Sequence, residues 1–186
     1  SSQAVMIDYI SLAKPRIALL VMLTAALGYS MAGGAADVAF FFTVFGTGLA
    51  SAACGCLNQA VEGPQDALME RTKMRPVAAK RMTKRRALAF GAALAAAGLA
   101  CLWLGVGLFA AQLTAATILT YVAVYTPFKR LTPQATWIGA AAGAMPPLIG
   151  WAAARGCLSP QAWVLFGIQF LWQIPHFLAL FWLHRR

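Results

Sequence analysis

Asn58, Glu62 and Asp66 stand at i, i+4 and i+8 in a chain of 186 residues that holds only five acids in all. On a continuous helix that spacing puts all three in one stripe. Two carboxylates about 6 Å apart repel each other, and a cation relieves the repulsion. Oxygen donors at this spacing suit Mg²⁺, which takes one or two carboxylates and completes its shell with water and phosphate. The same residues also fit a solvated loop whose acids balance its bases, and spacing alone does not separate the two.

Gly63-Pro64 lies between the carboxylates. Proline lacks a backbone donor and clashes with the preceding turn. The sequence therefore predicts a break, with a second helix starting at Pro64 and Asp66 in its first turn, where free N–H groups favour an anion. Arg71, Lys73 and Arg75 follow closely, and guanidinium forks suit phosphate. Metal-binding acids beside basic donors at a membrane edge point to a lipid diphosphate. The later run of Lys80, Arg81, Lys84, Arg85 and Arg86 reads as topology and contact with lipid headgroups.

The elements that position these residues are oily. The chain is 61% hydrophobic and 11% charged, with a mean hydropathy of +0.70; soluble domains carry about 25% charged residues. Several apolar stretches reach the ~18 residues that mark a membrane span. They are continuous rather than alternating, which excludes a β-barrel reading. The chain is therefore expected to be an all-α polytopic membrane protein. Residues 1–16 form an amphipathic lead-in, with Pro15 placed to start a helix. Six spans follow, at about Ile17–Ala35, Val38–Asn58, Ala87–Gly105, Leu108–Tyr125, Thr136–Ala154 and Gln161–Leu183. The fifth contains Pro146-Pro147, expected to kink it, and the sixth contains Pro175.

A net charge of +10 would suit nucleic acid, but the bases fall between apolar runs. Fourteen of the fifteen Lys and Arg lie on one side of the predicted spans, and Arg155 is alone on the other. By the positive-inside rule the N-terminus and the Asn58–Pro76 stretch are cytoplasmic. Membrane lipids are the expected surroundings, and nucleic acid is not an expected partner. Cys54, Cys56, Cys101 and Cys157 sit in or beside apolar segments and read as small packing residues, Cys54 and Cys56 near a helix end. No cleavable signal peptide is visible. His176 lies at membrane depth after Pro175, with Gln169 and Gln173 on roughly one face. An ionisable group there is either functional or hydrogen-bonded between helices.

The pattern Asn58-x3-Glu62-x3-Asp66-x2-Met69-x-Arg71-Thr72-x2-Arg75-Pro76 resembles the first acidic motif of the UbiA-type intramembrane prenyltransferases. Three more stretches are similar to one branch of that superfamily, the protohaem IX farnesyltransferases. They are Tyr125-Thr126-Pro127-Phe128-Lys129-Arg130-Leu131-Thr132-Pro133-Gln134, the run from Gly139 to Trp151 with Pro146-Pro147-Leu148-Ile149-Gly150-Trp151, and Pro175-His176-Phe177. The resemblance covers nearly the whole chain. Many members carry Asp where this chain has Glu62 and Pro64.

The resemblance implies a nine-helix bundle with a second Asp-rich motif after the sixth helix. Residues 1–186 are then expected to be the N-terminal two-thirds of one such domain, ending before that motif. It implies Mg²⁺ as cofactor, farnesyl diphosphate and haem B as substrates, haem O as product, and a haem-A-synthesising enzyme as partner. Asn58, Glu62 and Asp66 would be catalytic and hold the metal. Arg71, Lys73, Arg75, Lys129 and Arg130 would bind diphosphate, and His176 would bind haem. The setting would be a bacterial or mitochondrial inner membrane, with the motif on the cytoplasmic or matrix side. Two other readings stay open on the sequence: a relative acting on another aromatic or chlorin acceptor, and a transporter or assembly protein with kinked helices.

Overall fold

A computed structural model of the chain describes residues 2–129, 131–132 and 134–183. Every regular element among them is helical. Helix α1 (Ser2–Ala13) leads into α2 (Pro15–Met31) through a bend of 43°. The joint is Lys14, whose backbone is left-handed (φ 49°, ψ 63°), and Pro15 sits in the first turn of α2. A residue with a β-carbon held in that region costs roughly 1–2 kcal/mol.

Helix α3 (Val38–Asp66) is central and packs against α1, α2, α4 (Lys84–Gly105), α5 (Leu108–Leu119) and, beyond it, α7 (Met145–Arg155). Its start is fixed by Asp37, whose Oδ1 accepts from the Phe40 amide at 2.9 Å, an N-cap of the usual kind. Helix α5 continues through a π-helical segment, Thr120–Tyr125, and a last turn, Thr126–Phe128. Helix α6 (Ala135–Gly143) precedes α7, and α8 (Pro160–Leu183) packs on both.

Small residues let these helices approach closely. A β-carbon on Gly28 would stand 2.0 Å from the Pro147 carbonyl oxygen, and one on Gly150 would stand 2.0 Å from that of Ala25. Helices α2 and α7 therefore touch backbone to backbone. Outside, Leu19, Leu20, Leu23, Leu27, Trp103, Leu104, Leu171 and Trp172 are more than half exposed, while Asn58, Glu62 and Asp66 are buried. An apolar exterior around a polar interior suits lipid. Val38–Asp66, Lys84–Gly105 and Leu108–Phe128 are each long and apolar enough to cross a membrane, and the bent pair at Lys14 makes a fourth if it counts as one span.

Three local expectations are corrected. The helix does not break at Gly63-Pro64: α3 runs through Pro64 to Asp66. Proline removes only its own amide, and the Ala67 amide donates to the Gly63 carbonyl at 3.2 Å and closes the last turn. The Pro64 ring is exposed, away from the packed face. Asp66 thus lies at the carboxyl end of α3, not at an amino end, and Cys54 and Cys56 lie within the helix rather than near its end. In the fifth apolar segment the chain divides at Ala144, and Pro146 and Pro147 fall in the first turn of α7. Amides there have no intrahelical acceptor, so the two missing N–H groups cost little.

Candidate active site

One face of α3 carries the site. Thr47, Ser51, Cys54 and Gly55 line a cavity, and Asn58, Glu62 and Asp66 continue the same stripe beyond it. The three are 2%, 4% and 5% exposed, so the two carboxylates and the amide all need partners. The Lys129 Nζ meets Glu62 at 2.7 Å, and the Arg75 Nη1 donates to Asp66 Oδ1 at 2.9 Å and Oδ2 at 2.8 Å. The Asn58 amide nitrogen donates to Glu62 Oε2 at 3.0 Å and to Thr126 Oγ1 at 3.2 Å.

Each base is delivered by a different element. Lys129 follows the last turn of α5, with its Nζ 5.6 Å from the centre of the Tyr125 ring. The π-helical segment sets that turn, because the Tyr121 carbonyl accepts both the amide and the hydroxyl of Thr126. Arg75 comes from the loop between α3 and α4. That loop is held by the buried Thr72, whose hydroxyl donates to the Asp66 carbonyl at 2.9 Å. At the carboxyl end of a helix the dipole disfavours a carboxylate and favours a cation, so Asp66 is the position in α3 with most to gain from a positive partner.

The donor set fits Mg²⁺. Among the described residues no cluster of three His, Cys, Asp or Glu side chains could hold a metal. Glu62 and Asp66, with the Asn58 carbonyl oxygen, offer two carboxylates and one neutral oxygen, as expected of Mg²⁺ sites that borrow phosphate oxygens from a substrate. Lys129 and Arg75 already neutralise the acids. A dication at Glu62 and Asp66, arriving with a diphosphate, would leave both bases beside new phosphate oxygens, and no charge would be stranded.

The cavity beside this shelf encloses about 720 Å³ of atom-free space, part of it open solvent at the mouth. Ile17 and Val21 of α2, Thr114 and Ile118 of α5, Tyr121, and Pro146 and Ile149 of α7 also line it, together with Lys14. Burial pushes the Lys14 ammonium down to about 8, helped by the nearby positive charges of Arg75 and Lys129 and opposed by Glu62 and Asp66.

The structure brings Arg75 and Lys129 to the acids. It leaves Arg71 and Lys73 exposed, with Lys73 paired to Glu70 at 2.5 Å. Arg130 lies outside the described residues. His176 is exposed on α8 and stacks on Trp172, with ring centres 5.3 Å apart; it does not line the cavity. Gln173 turns inward and donates to the Ala140 carbonyl at 3.1 Å. Sequence reasoning missed Lys14, Tyr121 and Thr126. The only trace of Lys14 was its place directly before Pro15.

A family model described as the UbiA prenyltransferase family matches residues 20–186. The chain is 44% identical over 189 residues to a protoheme IX farnesyltransferase of Solibacter usitatus, an alignment that covers 96% of this chain and 65% of that one. It is 42% identical over 172 residues to the mitochondrial protoheme IX farnesyltransferase of Homo sapiens, covering 92% of this chain and 39% of that protein. The chain thus spans less than two thirds of the length of these relatives. Among solved structures, a digeranylgeranylglyceryl phosphate synthase aligns with a TM-score of 0.78 at 17% identity, over 89% of this chain and 58% of that one. A UbiA homologue of Archaeoglobus fulgidus bound to GPP and Mg²⁺ aligns with a TM-score of 0.71 at 16% identity, over 91% and 62%.

Proposed function

Because the chain belongs to the UbiA prenyltransferase family, we propose that it forms the N-terminal two-thirds of a membrane domain that transfers a farnesyl group from farnesyl diphosphate to a vinyl group of protohaem IX (haem B), giving haem O. The observation that carries this is the junction on α3. A shelf of buried acids held by two bases stands on the same helix face as an apolar cavity. A prenyl diphosphate has the matching shape: a charged head and an oily tail. The names of the relatives at 44% and 42% identity support haem as the acceptor.

In the proposed reaction the C1–O bond of the prenyl diphosphate breaks, and its electron pair leaves on the diphosphate oxygen. The haem vinyl group attacks the allylic cation that remains, which moves the positive charge to the vinyl carbon beside the ring; water adds there and releases a proton, giving a hydroxyethylfarnesyl side chain. Mg²⁺, held by Glu62, Asp66 and Asn58, would supply Lewis-acid stabilisation of the leaving charge. Arg75 and Lys129 would hydrogen-bond the same oxygens, and the bases Arg71, Lys73 and Arg130 would draw the diphosphate toward them. The apolar walls of the cavity would shield the cation from early water until the vinyl group reaches it. His176, exposed on α8, is assigned to haem, for which imidazole is a common iron ligand.

The distribution of bases supports a cytoplasmic, or in mitochondria a matrix, face for the shelf. The product would pass to a haem-A-synthesising enzyme. The test uses the full-length protein in detergent with Mg²⁺, farnesyl diphosphate and haem B, read by mass spectrometry. The expected product is haem gained in mass by one farnesyl group and one hydroxyl. Prenylation of an aromatic acid or a chlorin with haem left untouched would overturn the acceptor, and no prenylated product at all would overturn the reaction.

A further inference from the structure

Among the residues lining the cavity, Lys14 alone carries a charge. It enters none of the ion pairs found among the described residues, whereas Lys73, Arg75, Arg81 and Lys129 each hold a carboxylate. Its stem lies over Gly55, one turn before Asn58, so it lines the cavity beside the acids whose charges it feels. Burial and the two neighbouring bases disfavour that charge, and Glu62 and Asp66 favour it; an anion arriving there adds a direct counter-ion.

The backbone holds Lys14 in place against local preference. Its left-handed conformation (φ 49°) suits glycine or asparagine better than lysine. The joint is pinned to α3 at two points one turn apart. The Gln59 amide donates to the Leu12 carbonyl at 3.2 Å. At Gly55 a β-carbon would stand 3.0 Å from that same oxygen and 3.4 Å from the Lys14 stem. A long basic side chain in an unfavourable conformation, pressed over a glycine and turned into an apolar cavity, is a poor anchor for a membrane surface. Strained backbone of this kind clusters where a site requires it.

We propose that Lys14 is a catalytic residue whose ammonium meets the oxygen joining the prenyl C1 to the diphosphate, at the boundary of shelf and cavity. The inference rests on the reaction proposed above. Arg75 and Lys129 face the phosphate end, while Lys14 faces the bond that breaks. As the C1–O bond parts, its electron pair moves onto that oxygen and the ammonium donates a hydrogen bond to it. The contact strengthens as charge develops, so it acts on turnover more than on substrate binding.

The test is a series at position 14 in the full-length protein. Lys14→Asn suits the left-handed joint, so its thermal midpoint should equal or exceed that of the unaltered protein. Its kcat should fall on the order of 100-fold, with KM for farnesyl diphosphate changed by only a few-fold. Lys14→Arg should recover part of the loss. Ethylammonium added to Lys14→Gly should restore turnover, and the same amine should do nothing for Asp66→Asn. Full activity in Lys14→Asn, or no rescue of Lys14→Gly, would overturn the role of Lys14 alone. An unaltered protein inert toward farnesyl diphosphate would sink this inference together with the functional reading.

Discussion

Asp66→Asn is expected to lower turnover on the order of 10³-fold or more while leaving α3 folded. The side chain keeps its shape, so the buried packing around it survives. The negative charge is lost, and with it the partner of Arg75 and half of the carboxylate set proposed for Mg²⁺. Removing one stabilising group from a charge-developing transition state costs about 10²–10³-fold, and weakening a metal site adds to that. Steady-state turnover and Mg²⁺ titration check it, with circular dichroism to confirm folding. Arg71→Ala sets the scale: Arg71 is exposed, and its removal should cost less than about tenfold. Comparable losses from Arg71→Ala and Asp66→Asn would mean that the loop, not the shelf, carries the diphosphate.

Gly150→Val should have the largest effect on stability. A β-carbon at Gly150 would lie 2.0 Å from the Ala25 carbonyl oxygen and 2.8 Å from the Tyr29 amide. Both atoms are backbone, and α2 is also held to α7 at Gly28 against Pro147, so the two helices must part. Overpacking of this kind costs about 3 kcal/mol or more where the neighbour cannot yield. Gly167→Val is the control, because nothing lies within 4 Å of a β-carbon there. Thermal unfolding in detergent should show a large fall for the first and almost none for the second. Equal midpoints would contradict the backbone contact between α2 and α7.

The fold class and the acidic stripe were legible because both depend on local pattern. Continuous apolar runs mark membrane helices whatever they pack against. Asn58, Glu62 and Asp66 share a face on any helix. Pro64 was misread because the cost of proline was weighed without its surroundings: here the ring faces outward, and only one turn follows it. The bases between Arg71 and Arg75 looked alike because an irregular loop has no period to say which side chain turns inward. Thr72, bonded to the Asp66 carbonyl, decides that. Lys14 was hidden for the opposite reason, since a lysine before a span has a ready explanation as an anchor. Its left-handed backbone and its place in the cavity wall exist only in three dimensions. The π-helical segment that sets Thr126 against Asn58 has no sequence signature of its own.

The central claim is that one face of α3 binds a prenyl diphosphate, head on Glu62 and Asp66 and tail among Thr47, Ser51, Thr114 and Ile149. A structure of the full-length protein with Mg²⁺ and farnesyl diphosphate tests it most directly. The account predicts diphosphate density at Glu62 and Asp66, contacted by Arg75 and Lys129, and an isoprenoid chain filling the cavity. Diphosphate bound at the exposed Arg71 and Lys73, or a tail lying outside the cavity on the lipid face, would contradict it.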